Sequence, residues 1–93
     1  MPIKSFRCKD TRRLFERTPV RRFGMIESVA RRKLEQINAA ATLEFLRAPS
    51  GDRLEALRGE RAGQHSIRIN DQFRVCFRWN GTDAEDVEIV DYH

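Results

Sequence analysis

The side chains best suited to chemistry are arginines on the polar positions of alternating segments and an acid–base group at the end of the chain. Arg74, Cys76 and Arg78 alternate with Phe73, Val75, Phe77 and Trp79; just before them Ser66 and Arg68 alternate with Ile67 and Ile69. A period of two divides such strands into an apolar face and a basic face. The last residues are Asp91-Tyr92-His93. Asp91 and the terminal carboxylate favour the imidazolium, which makes His93 a candidate proton donor near neutrality. Tyr92 shares the parity of Glu88 and Val90 and is expected on the basic face, where its ring can stack on a base. Guanidiniums, a proton donor and an aromatic platform suit RNA cleavage without a metal. The 2′-hydroxyl attacks the adjacent phosphorus, cations stabilise the charged intermediate, and a donor protonates the departing 5′-oxygen. DNA lacks that hydroxyl and would be inert to the same set.

Register sharpens the arrangement. Residues directly opposite in an antiparallel pair share a face, so their numbers must sum to an even value. A two-residue Asp71-Gln72 loop would put Asn70 opposite Phe73 and mix the faces. A three-residue loop, Asn70-Asp71-Gln72, pairs Ile69 with Phe73 and Ile67 with Val75. That register sets Arg68 opposite Arg74. Like charges facing each other are destabilising, so a sheet built only for stability would avoid the pair and an anion-binding sheet would use it. A merely solvated basic surface is the alternative. His65 falls on the core parity and reads as a structural residue at the core edge.

The elements that must position this face follow from the rest of the chain. Ile3-Lys4-Ser5-Phe6 reads as a short strand, followed by a helix over Thr11–Arg17 with Asp10 as its N-cap. Val20–Met25 is an irregular basic connector with Arg21 and Arg22. From Ile26 the apolar period becomes helical: Ile26, Val29, Ala30, Leu34, Ile37 and Ala41 form one stripe, with Arg31 and Arg32 away from it and Lys33 at its margin. Arg31-Arg32-Lys33 reads as a solvated helix face or a phosphate-contacting ridge. Leu43, Phe45 and Leu46 continue a short helical segment until Pro49-Ser50-Gly51-Asp52 breaks the chain. Leu54–Leu57 reads as a strand, leading into the glycine-flanked cationic loop Arg58-Gly59-Glu60-Arg61-Ala62-Gly63, which lacks P-loop spacing. After the hairpin, Asn80-Gly81-Thr82-Asp83 turns the chain into a last strand with Val87, Ile89 and Val90. One α+β domain over residues 1–93 is expected, with the N-terminal strand and helices packed on one face of a mostly antiparallel sheet.

Composition narrows the partners. Ninety-three residues allow one core. No apolar run is long enough to span a bilayer and the N-terminus lacks a signal-peptide apolar region, so a cytoplasmic protein is expected. Cys8 and Cys76 have no metal-ligand spacing and read as reduced thiols; no cofactor is implied. The net charge of +4 hides an asymmetry, since residues 1–48 carry net +7 and residues 49–93 net −3. Fifteen of the 18 cations are Arg, the side chain suited to bidentate phosphate contact and base stacking. A nucleic acid is favoured over a membrane.

Three blocks of residues carry a family resemblance: 51–63 (Gly-Asp-Arg-Leu-Glu-Ala-Leu-Arg-Gly-Glu-Arg-Ala-Gly), 66–79 (Ser-Ile-Arg-Ile-Asn-Asp-Gln-Phe-Arg-Val-Cys-Phe-Arg-Trp) and 86–93 (Asp-Val-Glu-Ile-Val-Asp-Tyr-His). Together with Ile3-Lys4-Ser5-Phe6 they resemble HigB-type toxins of the RelE/ParE superfamily over nearly the whole chain. The resemblance implies a RelE-like fold and a bacterial type II toxin that cleaves mRNA in the ribosomal A site and so inhibits translation. It also implies neutralisation by a HigA-like antitoxin with a helix-turn-helix region, through which alone operator DNA is met. Arg74 matches the arginine that stabilises the scissile phosphate, and Asp91 and His93 match the C-terminal catalytic pair with Tyr92 between them. Arg58 stands where a lysine is frequent and Asn70 where some relatives have an arginine. Arg58, Arg61, Arg68, Asn70 and Arg78 are the RNA-contacting candidates. Three other readings compete: a non-catalytic RNA-binding module, a ParE-like gyrase inhibitor and a purely structural subunit.

Overall fold

The computed structural model describes residues 2–47 and 52–91. Helix α1 spans Lys9–Phe15 and α2 spans Glu27–Ala39, with a 3-10 segment Arg21–Ile26 between them and another at Leu43–Leu46. Strands β1 (Glu55–Ala56), β2 (Gln64–Arg68), β3 (Phe73–Trp79) and β4 (Ala84–Asp91) form an antiparallel sheet in sequence order. Leu14, Phe23, Ala30, Leu34, Ile37 and Leu46 pack against Ile67, Val75, Phe77, Val87 and Ile89 to make one core. The expected α+β arrangement is therefore present, with the helical layer on the apolar face. No helix among the described residues is long and apolar enough to cross a membrane.

Helix α1 begins earlier than its sequence suggests. Cys8, not Asp10, is the N-cap residue, and it makes no side-chain capping bond. Asp10 lies instead within the first turn, where its carboxylate still meets the positive end of the helix dipole. The helix stops at Phe15 because Arg17 takes a left-handed φ of 67°. There the Thr18 N–H donates to the Arg13 carbonyl (2.9 Å) and the Arg17 N–H to that of Leu14 (3.1 Å), and Pro19 follows. This is a Schellman ending with arginine at the position glycine usually holds. The expected basic connector winds into the 3-10 segment Arg21–Ile26, because Phe23 and Ile26 turn into the core.

The N-terminal segment does not form a full strand. It runs parallel to β4 and makes isolated bridges, Ile3 with Ala84 and Phe6 with Val87. Its backbone exchanges bonds with Ala84 and Val87, and Thr11 Oγ1 accepts from the Ile89 N–H at 3.0 Å. The free edge of β4 is thereby covered, which removes a template for association.

The β2–β3 hairpin has the register its alternation requires: Ile67 opposite Val75 and Arg68 opposite Arg74. The turn is closed by Asn70, whose Oδ1 accepts from the N–H groups of Gln72 (2.9 Å) and Phe73 (2.8 Å). The second hairpin contains a β-bulge between Cys76 and Arg78 on β3 and their β4 partners Glu88 and Glu85. Asp86, at φ 52°, sits within it. The extra residue lets both Ala84 and Val87 face the core, three positions apart.

Strand β1 is shorter than the expected Leu54–Leu57, and its two residues are both exposed. The larger departure is Lys33. Rather than solvating the helix face, its side chain is 7% exposed and pairs with the fully buried carboxylate of Asp52.

Candidate functional site

The face of the sheet away from the helices consists of three rows set by register. Arg68, Arg74 and Val90 form the row next to the hairpin turn; Ser66, Cys76 and Glu88 form the middle; Gln64, Arg78 and Glu85 form the far row. Arg74 and Arg78 are thus about 13 Å apart along β3 at ~3.3 Å per residue.

The facing arginines relieve their repulsion by diverging to separate acceptors. Arg68 pairs with Asp71 in the turn. Arg74 lies across the face: its Nε donates to Ser66 Oγ (2.8 Å), its Nη2 to the Arg53 carbonyl (2.7 Å), and Glu55 stands 3.8 Å away. Its side chain is only 12% exposed. A guanidinium held at two nitrogens has its plane fixed, which gives a phosphate a preset orientation to meet.

The middle of this face is covered. Ser66 and Cys76 are fully buried and Gln64 nearly so. Arg61 spans the sheet above β3, donating to Gln64 Oε1 on β2 (3.0 Å) and pairing with Glu88 on β4 (2.9 Å). Arg7 joins Glu88 from the N-terminal segment at 3.8 Å, and Arg78 pairs with Asp86 at 3.5 Å. The basic face predicted from alternation is therefore largely ion-paired. The signal was in the sequence: Glu85, Asp86 and Glu88 fall on β4, and the region from residue 49 onward is net acidic. Arg58, exposed at the start of the 3-10 segment Gly59–Arg61, makes no side-chain hydrogen bond or ion pair among the described residues.

Asp91 ends β4 opposite Phe73, on the parity of the core face, and accepts from Gln72 Nε2 at 3.0 Å. Register does not put its side chain on the face of Arg74. Asn70, one of the RNA-contacting candidates, spends its carbonyl oxygen on the turn. Tyr92 and His93 lie outside the described residues. His65 pairs with Phe77 and rests 6.0 Å from its ring, as its core parity requires. Burial, aided by the charge of Arg47, lowers its pKa.

The family model described as "RelE-like toxin of type II toxin-antitoxin system HigB" matches residues 4–93. The chain belongs to the HigB-like toxins. A curated relative, Toxin HigB-1 of Vibrio cholerae serotype O1 (strain ATCC 39315 / El Tor Inaba N16961), is 46% identical over 54 residues. That alignment spans 58% of this chain and 57% of the relative, little more than half of each.

In this HigB-like toxin, sequence reasoning singled out Arg74 as a candidate but not the groups that hold it: the hydroxyl of Ser66, the carbonyl of Arg53 and the carboxylate of Glu55. Ser66 could have been found, since it shares the parity of Arg74 one position along the same face. The Arg53 carbonyl could not, because a main-chain acceptor leaves no residue-type signal.

Proposed function

We propose that this HigB-like toxin is an endoribonuclease that cuts mRNA bound in the ribosomal A site. The observation that carries the reading is the Arg74 guanidinium, fixed at two nitrogens on the sheet face opposite the helices. Such a group stabilises charge developing on the scissile phosphate without reorganising when the reaction occurs. The 2′-hydroxyl releases its proton to the surrounding water and forms a bond to phosphorus as the bond to the 5′-oxygen breaks, leaving a 2′,3′-cyclic phosphate and a 5′-hydroxyl. His93 gives the departing oxygen its proton, with Asp91 as the other member of the C-terminal pair and Tyr92 stacking on a base. Arg58, exposed, contributes phosphate contact most directly; Arg61, Arg68, Asn70 and Arg78 border the RNA and carry charge or polar groups already engaged within the protein.

The partners under this reading are the ribosome with its rRNA and mRNA, and a HigA-like helix-turn-helix antitoxin that alone contacts operator DNA. The protein then works in the bacterial cytoplasm. Toeprinting of an mRNA on ribosomes tests it: the wild-type chain produces new 5′-hydroxyl ends within the A-site codon, and Arg74→Ala or removal of His93 strongly slows their appearance. Binding without any cut would leave a non-catalytic RNA-binding module. Inhibition of gyrase supercoiling by the purified chain would support a ParE-like activity instead.

A further inference from the structure

The mechanism above leaves one costly feature unused. Lys33 on α2 and Asp52 after the helical layer form a buried ion pair, and with its amide turned to donate, Gln36 reaches both Asp52 oxygens at 2.9 and 3.2 Å. Buried ion pairs are often no more stabilising than apolar residues of the same volume, because desolvation offsets their attraction. Stability alone does not explain this one.

Its position does. The Asp52 carbonyl accepts the N–H of Arg68, and Arg53, the next residue, is held at a left-handed φ of 46°. That conformation is unfavourable for a side chain larger than glycine and persists only where its surroundings impose it. The Arg53 carbonyl it presents is the acceptor of Arg74 Nη2. The route from the core to the face is therefore continuous: Lys33 and Gln36 on α2, the Asp52 carboxylate, the strained corner Asp52-Arg53, and the guanidinium of Arg74. Ser66 holds Nε, and at Nη2 the Arg53 carbonyl at 2.7 Å is a closer partner than the Glu55 carboxylate at 3.8 Å.

We infer that Lys33 and Asp52, with Gln36, are positioning residues that hold the Arg53 carbonyl where it orients the Arg74 guanidinium. The inference rests on the catalytic reading of Arg74 for its effect on rate, and on geometry alone for the orientation itself.

The test uses the full chain with Lys33→Met/Asp52→Leu, which replaces the pair by apolar side chains, and with Asp52→Asn, which keeps the shape and removes the charge. Cleavage of A-site mRNA is followed at saturating toxin, and toxin–ribosome affinity and melting temperature are measured separately. The double variant is expected to melt near wild type and bind ribosomes within about twofold, yet cut roughly 10–10²-fold more slowly, as misplacement of a catalytic group does. Adding Arg74→Ala to it should cost less than it costs wild type, since the two changes disable one unit. Cleavage at the wild-type rate with full additivity overturns the proposal.

Solvent exchange of the Arg74 Nη2 hydrogens, the ones that meet the Arg53 carbonyl, is read by nitrogen NMR and is independent of activity. It should quicken by about tenfold or more in Asp52→Asn, and unchanged exchange overturns the proposal even if the double variant fails to fold. A wild-type chain that does not cleave, with exchange quickened as expected, refutes the catalytic reading and leaves the positioning intact.

Discussion

At the scale of single residues, the proposed chemistry turns on Arg74. Arg74→Ala should lower the rate of A-site cleavage on the order of 10²–10³-fold, the cost of losing one transition-state donor, with ribosome affinity nearly unchanged in a co-sedimentation assay. Arg74→Lys keeps the charge but cannot bond Ser66 and Arg53 through two fixed nitrogens, so it should recover little of that rate. The two cysteines make a second contrast. Burial raises the pKa of Cys8, but bonds from the Thr11 side chain and from the backbone at Thr11 and Asp10, with the Arg22 charge, outweigh it and lower the pKa below the ordinary thiol value. Cys76 is fully buried. Iodoacetamide should therefore alkylate Cys8 in the native protein and reach Cys76 only after denaturation, as peptide mass mapping would show.

Among the elements, the β2–β3 hairpin carries both the core and the site, and its two faces are coupled through the backbone. Phe77→Ala should cost about 3–5 kcal/mol in urea unfolding, since the ring is fully buried against the helical layer. His65 lies on the same hairpin with its pKa held below the ordinary value of 6.5. The unfolded chain then binds that proton at a higher pH than the folded one. The stability this neutral imidazole contributes is present above pH 6.5 and is lost as pH falls below it toward the folded value. Melting temperature should decline on that side, and His65→Gln should flatten the decline. Alternation and loop parity were enough to place Ile67 opposite Val75 and Arg68 opposite Arg74. The same parity test on the second hairpin would have exposed its bulge: pairing Trp79 with Ala84 gives an odd sum and pairing Val75 with Ile89 an even one, so one residue had to be extra between them.

The whole molecule combines a net charge of +4 with a sheet face on which most cations already have partners. Each cation that displaces counterions from RNA contributes about one unit to the dependence of log affinity on log salt. Arg58→Ala should therefore lower that slope by close to one in filter-binding titrations, whereas Arg78→Ala, which frees Asp86, should change it less. By itself the sequence determined the α+β class, the hairpin register, the apolar stripe of α2 from Ala30 to Ile37 (Ala41, placed on it, is exposed past the helix end while Ala40 is buried) and the membership of Arg74 in the face away from the helices, because periodicity and parity are local and survive without tertiary context. Tertiary structure alone decided what each charge touches. Lys33 reads as a solvated margin until Asp52, nineteen residues away, is folded against it. The Arg53 carbonyl becomes a ligand for Arg74 only when β1 and β3 are brought to one sheet with β2 between them. Long-range electrostatic pairing depends on distances that no spacing along the chain encodes, and in this protein those distances decide which arginines are ion-paired across the sheet and which one is held at two nitrogens.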